Sequence, residues 1–87
     1  MKRNHPDDTR DILARNLRLL RAERRLSQEA LAFESGINRT YLSDVERGTR
    51  NISIDNLSRL AQALNIPAWR LLQPETGPVQ EIKTGAS

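Results

Sequence analysis

Ser27-Gln28-Glu29-Ala30-Leu31-Ala32-Phe33-Glu34-Ser35-Gly36-Ile37-Asn38-Arg39-Thr40-Tyr41-Leu42-Ser43-Asp44-Val45-Glu46-Arg47-Gly48 holds two short helical patterns with only Gly36-Ile37-Asn38 between them. Ser27 and Asn38 carry side-chain oxygens that accept from the orphan N–H groups of a helix start. Leu26 precedes Ser27 and pairs with Leu31; Ile37 precedes Asn38 and pairs with Leu42. Each pair closes an apolar staple over a helix entry. The pattern returns at Ile52-Ser53 with Leu57, so helices are predicted to begin near residues 28, 39 and 54. The reciprocal Glu of a full capping box is absent from all three, and the staple carries the reading. Gly36 suits the left-handed conformation that ends a helix. Two short helices joined by so tight a turn form a helix-turn-helix.

Outward from this motif the helical reading continues. Ile12, Leu13, Leu17 and Leu20 recur at helical spacing, with Asp8 or Thr9 to cap the start. A fifth short helix is expected from Pro67, a residue favoured in the first turn, to before Pro74. No stretch alternates long enough for a strand. The expectation is an all-α, compact five-helix domain over residues 9–72, between a flexible leader (1–8) and a flexible tail (73–87) rich in Pro and Gly.

Within the motif, Leu31, Ile37, Leu42 and Val45 face the core, and Ala32 sits where two helices cross closely. Thr40, Ser43, Asp44 and Arg47 are left facing outward, with Arg39 beside them. This row is short, polar and varied, which suits the reading of base edges in a DNA major groove.

These residues resemble the lambda-repressor-like (Cro or XRE type) helix-turn-helix family. The resemblance runs from Ser27-Gln28-Glu29-Ala30-Leu31-Ala32 through Gly36 to Ser43 and on to Val45-Glu46-Arg47-Gly48. It covers roughly residues 9–72, including Arg21 before the motif and Leu57, Leu60, Ala61 and Leu64 after it. It implies that Arg39, Thr40, Asp44 and Ser43 read bases. It also implies that Gln28, Tyr41, Arg47, Thr49, Arg50 and Asn51 contact phosphates, with Gln28 bracing the recognition residue beside it. Phosphate contacts set register and base contacts set sequence. Arg21 and Glu46 match a structural salt bridge of the family. Asp44 departs from the family pattern, which more often has a neutral or basic residue there. It accepts from a cytosine amino group or else pairs with Arg47 or Arg39 and reads no base. Ile52 replaces a common proline, leaving the loop before it less constrained.

Charge adds a modest bias. The chain has 14 Lys plus Arg against 11 Asp plus Glu, a net charge of +3. Residues 1–25 hold eight cations and four anions, a net of +4. Arg15, Arg18, Arg24 and Arg25 are most simply a solvated face, with Arg18 the best placed for a phosphate. Trp69 is the lone tryptophan. It either closes the base of the bundle or anchors a dimer together with Leu64, Ile66 and Leu72.

The chain has no cysteine and one histidine, His5, which excludes a thiolate or histidine metal centre and a disulfide scaffold. No apolar run is long enough to span a bilayer, and the start lacks the apolar stretch of a secretory signal. Paired carboxylates, a nucleophile with its base and a phosphate-cradling glycine loop are all missing, so no enzyme, cofactor or metal is expected.

The expected function is a sequence-specific transcription regulator of the prokaryotic or phage cytoplasm. It would bind double-stranded DNA as a homodimer on a near-palindromic operator, controlling a restriction–modification operon or acting as a phage-type repressor. RNA polymerase and a small protein are further candidate partners. The alternative is an antitoxin that binds DNA and captures a toxin through residues 73–87.

Overall fold

Among the described residues each α-helix starts on a side-chain cap and ends on a left-handed residue. The computed structural model describes residues 8–74. Residues 1–7 of the expected leader and residues 75–87 of the expected tail lie outside them. Helix α1 spans Thr9–Glu23, α2 Gln28–Ser35, α3 Arg39–Glu46 and α4 Ile54–Ala63. Asp8, Ser27, Asn38 and Ser53 accept backbone N–H bonds at the four starts. Asn38 accepts two, from Thr40 and Tyr41, at 2.8 and 3.1 Å. The staples close as expected: Leu31, Leu42 and Leu57 are buried, and Leu26, Ile37 and Ile52 pack over them.

The stops are equally uniform. Arg25, Gly36, Gly48 and Asn65 all have positive φ and follow α1 to α4 in turn. After α2, Ile37 N–H returns to the Ala32 carbonyl at 3.0 Å; after α3, Thr49 N–H returns to the Asp44 carbonyl at 3.1 Å. These bonds satisfy carbonyls that the helix leaves open. The two glycines differ in their surroundings. A Cβ on Gly36 would meet nothing within 4 Å, whereas one on Gly48 would lie 2.9 Å from an Asp11 carboxylate oxygen. Gly36→Ala should therefore cost about 1 kcal/mol, from backbone strain alone. Gly48→Ala should cost more, because the Asp11 side chain must also move. Thermal melts of the two variants measure the difference.

The fifth helix is corrected. Ala68–Leu72 is a 3-10 turn, so the domain has four α-helices and one 3-10 segment. Only five residues separate Pro67 from Gln73, too few to sustain an α-helical ladder. Asn16 also captures two carbonyls there. Its amide Nδ2 donates to Leu71 O and Gln73 O, both at 2.9 Å. Asn16 is buried, and these bonds tie the last segment onto α1.

The core is a set of leucines. Leu17, Leu31, Leu42, Leu60, Leu64 and Leu71 are fully buried, with Val45 beside them. Each buried side chain of this size contributes about 1.5–3 kcal/mol. Ala32 is buried at the crossing where its size was expected to matter. Leu64, expected at a dimer surface, is 0% exposed and belongs to this core. It is the residue that ends α4, just before Asn65.

Candidate nucleic-acid interface

Helix α3 buries Leu42, Val45 and Glu46. That stripe leaves Arg39, Thr40 and Arg47 exposed and Tyr41, Ser43 and Asp44 half-buried on the outer side. The orientation of α3 is held from beneath by Glu46, whose side chain is 2% exposed. Arg21 of α1 grips it with two bonds, Nε to Oε2 at 2.6 Å and Nη2 to Oε1 at 2.9 Å. Arg21 Nη1 also donates to Leu26 O at 2.8 Å, fastening the α1–α2 turn to the same node. The hydrogen bond to Glu46 raises the Arg21 pKa above its ordinary value, against the lowering effect of burial. The cation is thus permanent at any physiological pH.

Two residues expected at phosphates have partners inside the domain. Gln28 Nε2 donates to Glu46 Oε1 at 2.9 Å, so one amide hydrogen is turned inward to the buried carboxylate. Arg18 Nη1 donates to the Glu46 carbonyl, where a cation meets the negative end of α3. Both read more directly as parts of the mount that holds α3.

The outer surface is organised around Asp44. One carboxylate oxygen accepts from Arg47 Nη2, and the other from Arg50 Nη2 at 3.3 Å. Arg47 Nη1 also donates to Ser43 Oγ at 2.9 Å. Arg50 stacks on the Tyr41 ring, 4.8 Å from its centroid. Thr49 Oγ1 donates to the Asp44 carbonyl at 3.1 Å, and Arg10 Nη1 donates to Asn51 Oδ1 at 3.4 Å. The loop 47–53 is thereby drawn onto α3 and the start of α1. Arg39 is different. Among the described residues this exposed cation has no hydrogen-bond or ion-pair partner.

The expected residues therefore divide into two groups. The structure brings Arg39, Thr40, Tyr41, Ser43, Asp44, Arg47, Thr49, Arg50 and Asn51 to one surface formed by α3 and the loop after it. Gln28, Arg18, Arg21 and Glu46 form the support below. Sequence reasoning missed Arg10 and Asn16, whose partners lie 41 and at least 55 positions away. It also missed Phe33 and Ile54, which are 86% and 74% exposed. Ile54 stands three positions before Leu57, and that spacing alone reads as core.

Two helices at this crossing, with a polar outward helix and arginines around it, define a DNA-binding helix-turn-helix transcription regulator. The helix-turn-helix family pattern (HTH_3) matches residues 17–68, and the chain belongs to that family. It is 46% identical over 76 residues to a hypothetical transcription factor of Neisseria meningitidis, covering 87% of this chain and 69% of the relative. Among solved structures it resembles the restriction–modification controller protein C.AhdI of Aeromonas hydrophila. The TM-score is 0.69 and the identity 47%, over 71% of this chain and 94% of that one. It also resembles SinR, a master regulator of biofilm formation solved in complex with DNA. There the TM-score is 0.67 and the identity 29%, over 70% of this chain and 98% of SinR. Among the described residues no helix is long and apolar enough to cross a membrane.

Proposed function

We propose that the chain acts as a homodimer that reads a near-palindromic operator through α3. Its subtype would be the controller of a restriction–modification operon, acting in a prokaryotic cytoplasm by binding and not by catalysis. The observation that carries this reading is Arg39 at the start of α3, an exposed cation with no partner among the described residues, with Thr40 and Ser43 on the same side. Residues at the start of a recognition helix are the ones that reach base edges. Arg39, Thr40 and Ser43 are the proposed readers; Arg47, Thr49, Arg50, Asn51 and Tyr41 are the proposed phosphate group.

The dimer reading is supported by exposed apolar residues on α4 and the 3-10 segment, in part beside the loop that carries Asn51. Trp69 and Ile54 are 64% and 74% exposed. Leu72 is half-buried and lines a groove with Ile54, Ile52, Leu57 and Leu13. Trp69 and Leu72 are three residues apart in a 3-10 segment, where such positions eclipse on one face. A second copy seated there would hold two α3 helices about 34 Å apart, for half-sites one turn apart. One module of this size buries only roughly 600–1,000 Å² on DNA, so pairing adds needed affinity. In this reading Ile54 takes the place first expected for Leu64, and half-buried Ile66 lies at the margin. Trp69→Ala should shift the equilibrium towards monomer in sedimentation; a variant that stays dimeric removes Trp69 from the interface.

The direct test is selection from a randomised duplex pool at about 150 mM salt, where non-specific phosphate binding is already weakened. Enrichment of an inverted repeat is expected. A folded protein that enriches nothing would overturn the reading. The antitoxin alternative rested on residues 73–87, and nothing in the described part of that segment favours it.

A further inference from the structure

Asp44 is the one acidic side chain on the exposed surface of α3, where DNA phosphates would approach. Its two oxygens hold two of the three arginines of that surface, Arg47 and Arg50. The Asp44 side chain is 22% exposed, while Arg47 and Arg50 are 61% and 45% exposed. The carboxylate is therefore an internal stand-in for a phosphate, sitting where the two cations can reach either it or solvent.

We propose that Asp44 is a specificity-determining residue that couples phosphate contact to base reading; this rests on the DNA-reading function proposed above. On an arbitrary duplex, a phosphate that draws Arg47 or Arg50 fully onto itself leaves Asp44 short of its cations, close to a polyanion. Binding is then weak. On the cognate duplex, an amino group in the major groove, that of a cytosine, donates to the freed carboxylate. The two arginines can then turn to the backbone without stranding the acid. Asp44 thus suppresses non-specific affinity more than specific affinity. Thr49 supports the assignment, because both its bonds run to the Asp44 backbone carbonyl. The backbone turn at Thr49 is thus held through the Asp44 carbonyl and not through its carboxylate.

The test is a titration of wild type and Asp44→Asn against the selected operator and a scrambled duplex of equal length, across a salt series. Asp44→Asn should bind the scrambled duplex roughly tenfold tighter near 100 mM salt, with a salt slope steeper by about 0.9, the value of one added phosphate contact. The ratio of operator to scrambled affinity should fall. Glu23→Gln, which removes the same charge from α1, should not lower that ratio. In an Arg47→Gln/Arg50→Gln background Asp44→Asn should gain nothing, since the cations it releases are gone. A ratio unchanged by Asp44→Asn, or lowered equally by Glu23→Gln, overturns the proposal. A wild-type protein that binds both duplexes alike overturns the DNA-reading function itself, which is a different result.

Discussion

Glu46→Ala should destabilise the domain by about 3 kcal/mol, the scale of breaking a buried pair from one side. The carboxylate is 2% exposed and accepts three bonds, two from Arg21 and one from Gln28. Removing it leaves the Arg21 guanidinium, itself only 20% exposed, with the Leu26 carbonyl as its remaining partner. In a domain this small, 1 kcal/mol moves the melting temperature by roughly 4–8 °C, so the loss amounts to roughly 12–24 °C. Glu46→Gln keeps the volume and one acceptor and should lose less. Replacing both partners by apolar residues of similar size should be milder than either single change, because no charge is then stranded. Arg21 adds no pH dependence near neutrality. Its pKa is raised from an already strongly basic value. A group of that kind stabilises fully below its unfolded pKa and loses the contribution only as pH rises through the folded one. A melting curve unmoved by Glu46→Ala would refute this account of how α3 is mounted.

Arg39→Ala should weaken operator binding by about 1–3 kcal/mol and relax preference at one base pair. The expected size follows from its isolation. Arg47 and Arg50 are already engaged with Asp44, but Arg39 has no partner to give up among the described residues. Its full interaction with a guanine, accepting through O6 and N7, would appear in the affinity. Arg39 also opens α3, where the helix dipole opposes a cation. The same substitution should leave the melting temperature unchanged or slightly higher. Lost operator affinity together with intact stability separates reading from folding. Loss of equal size on operator and scrambled duplex would instead make Arg39 a phosphate contact.

The starts of the helices were legible because their causes are local. A cap and its staple lie within five positions of each other, so Ser27 with Leu31, Asn38 with Leu42 and Ser53 with Leu57 could be read directly. The same holds for the turn at Gly36 and for the burial of Leu42 and Val45 on α3. The Arg21–Glu46 pair spans 25 positions and came from family resemblance, not from spacing.

What only the tertiary structure decided are choices between partners that spacing leaves equal. Asp44 reaches Arg47 three positions along the chain, but its second partner is Arg50, because the loop after Gly48 folds back over α3. Leu64 and Ile54 both continue the apolar stripe of α4. The packing of α2 and the 3-10 segment against that helix buries the first and leaves the second outside. Asn16 looks like any polar residue of α1 until Leu71 and Gln73 present their carbonyls to it. A helix depends on neighbours a few residues away, whereas burial and ion pairing depend on which distant element arrives beside them.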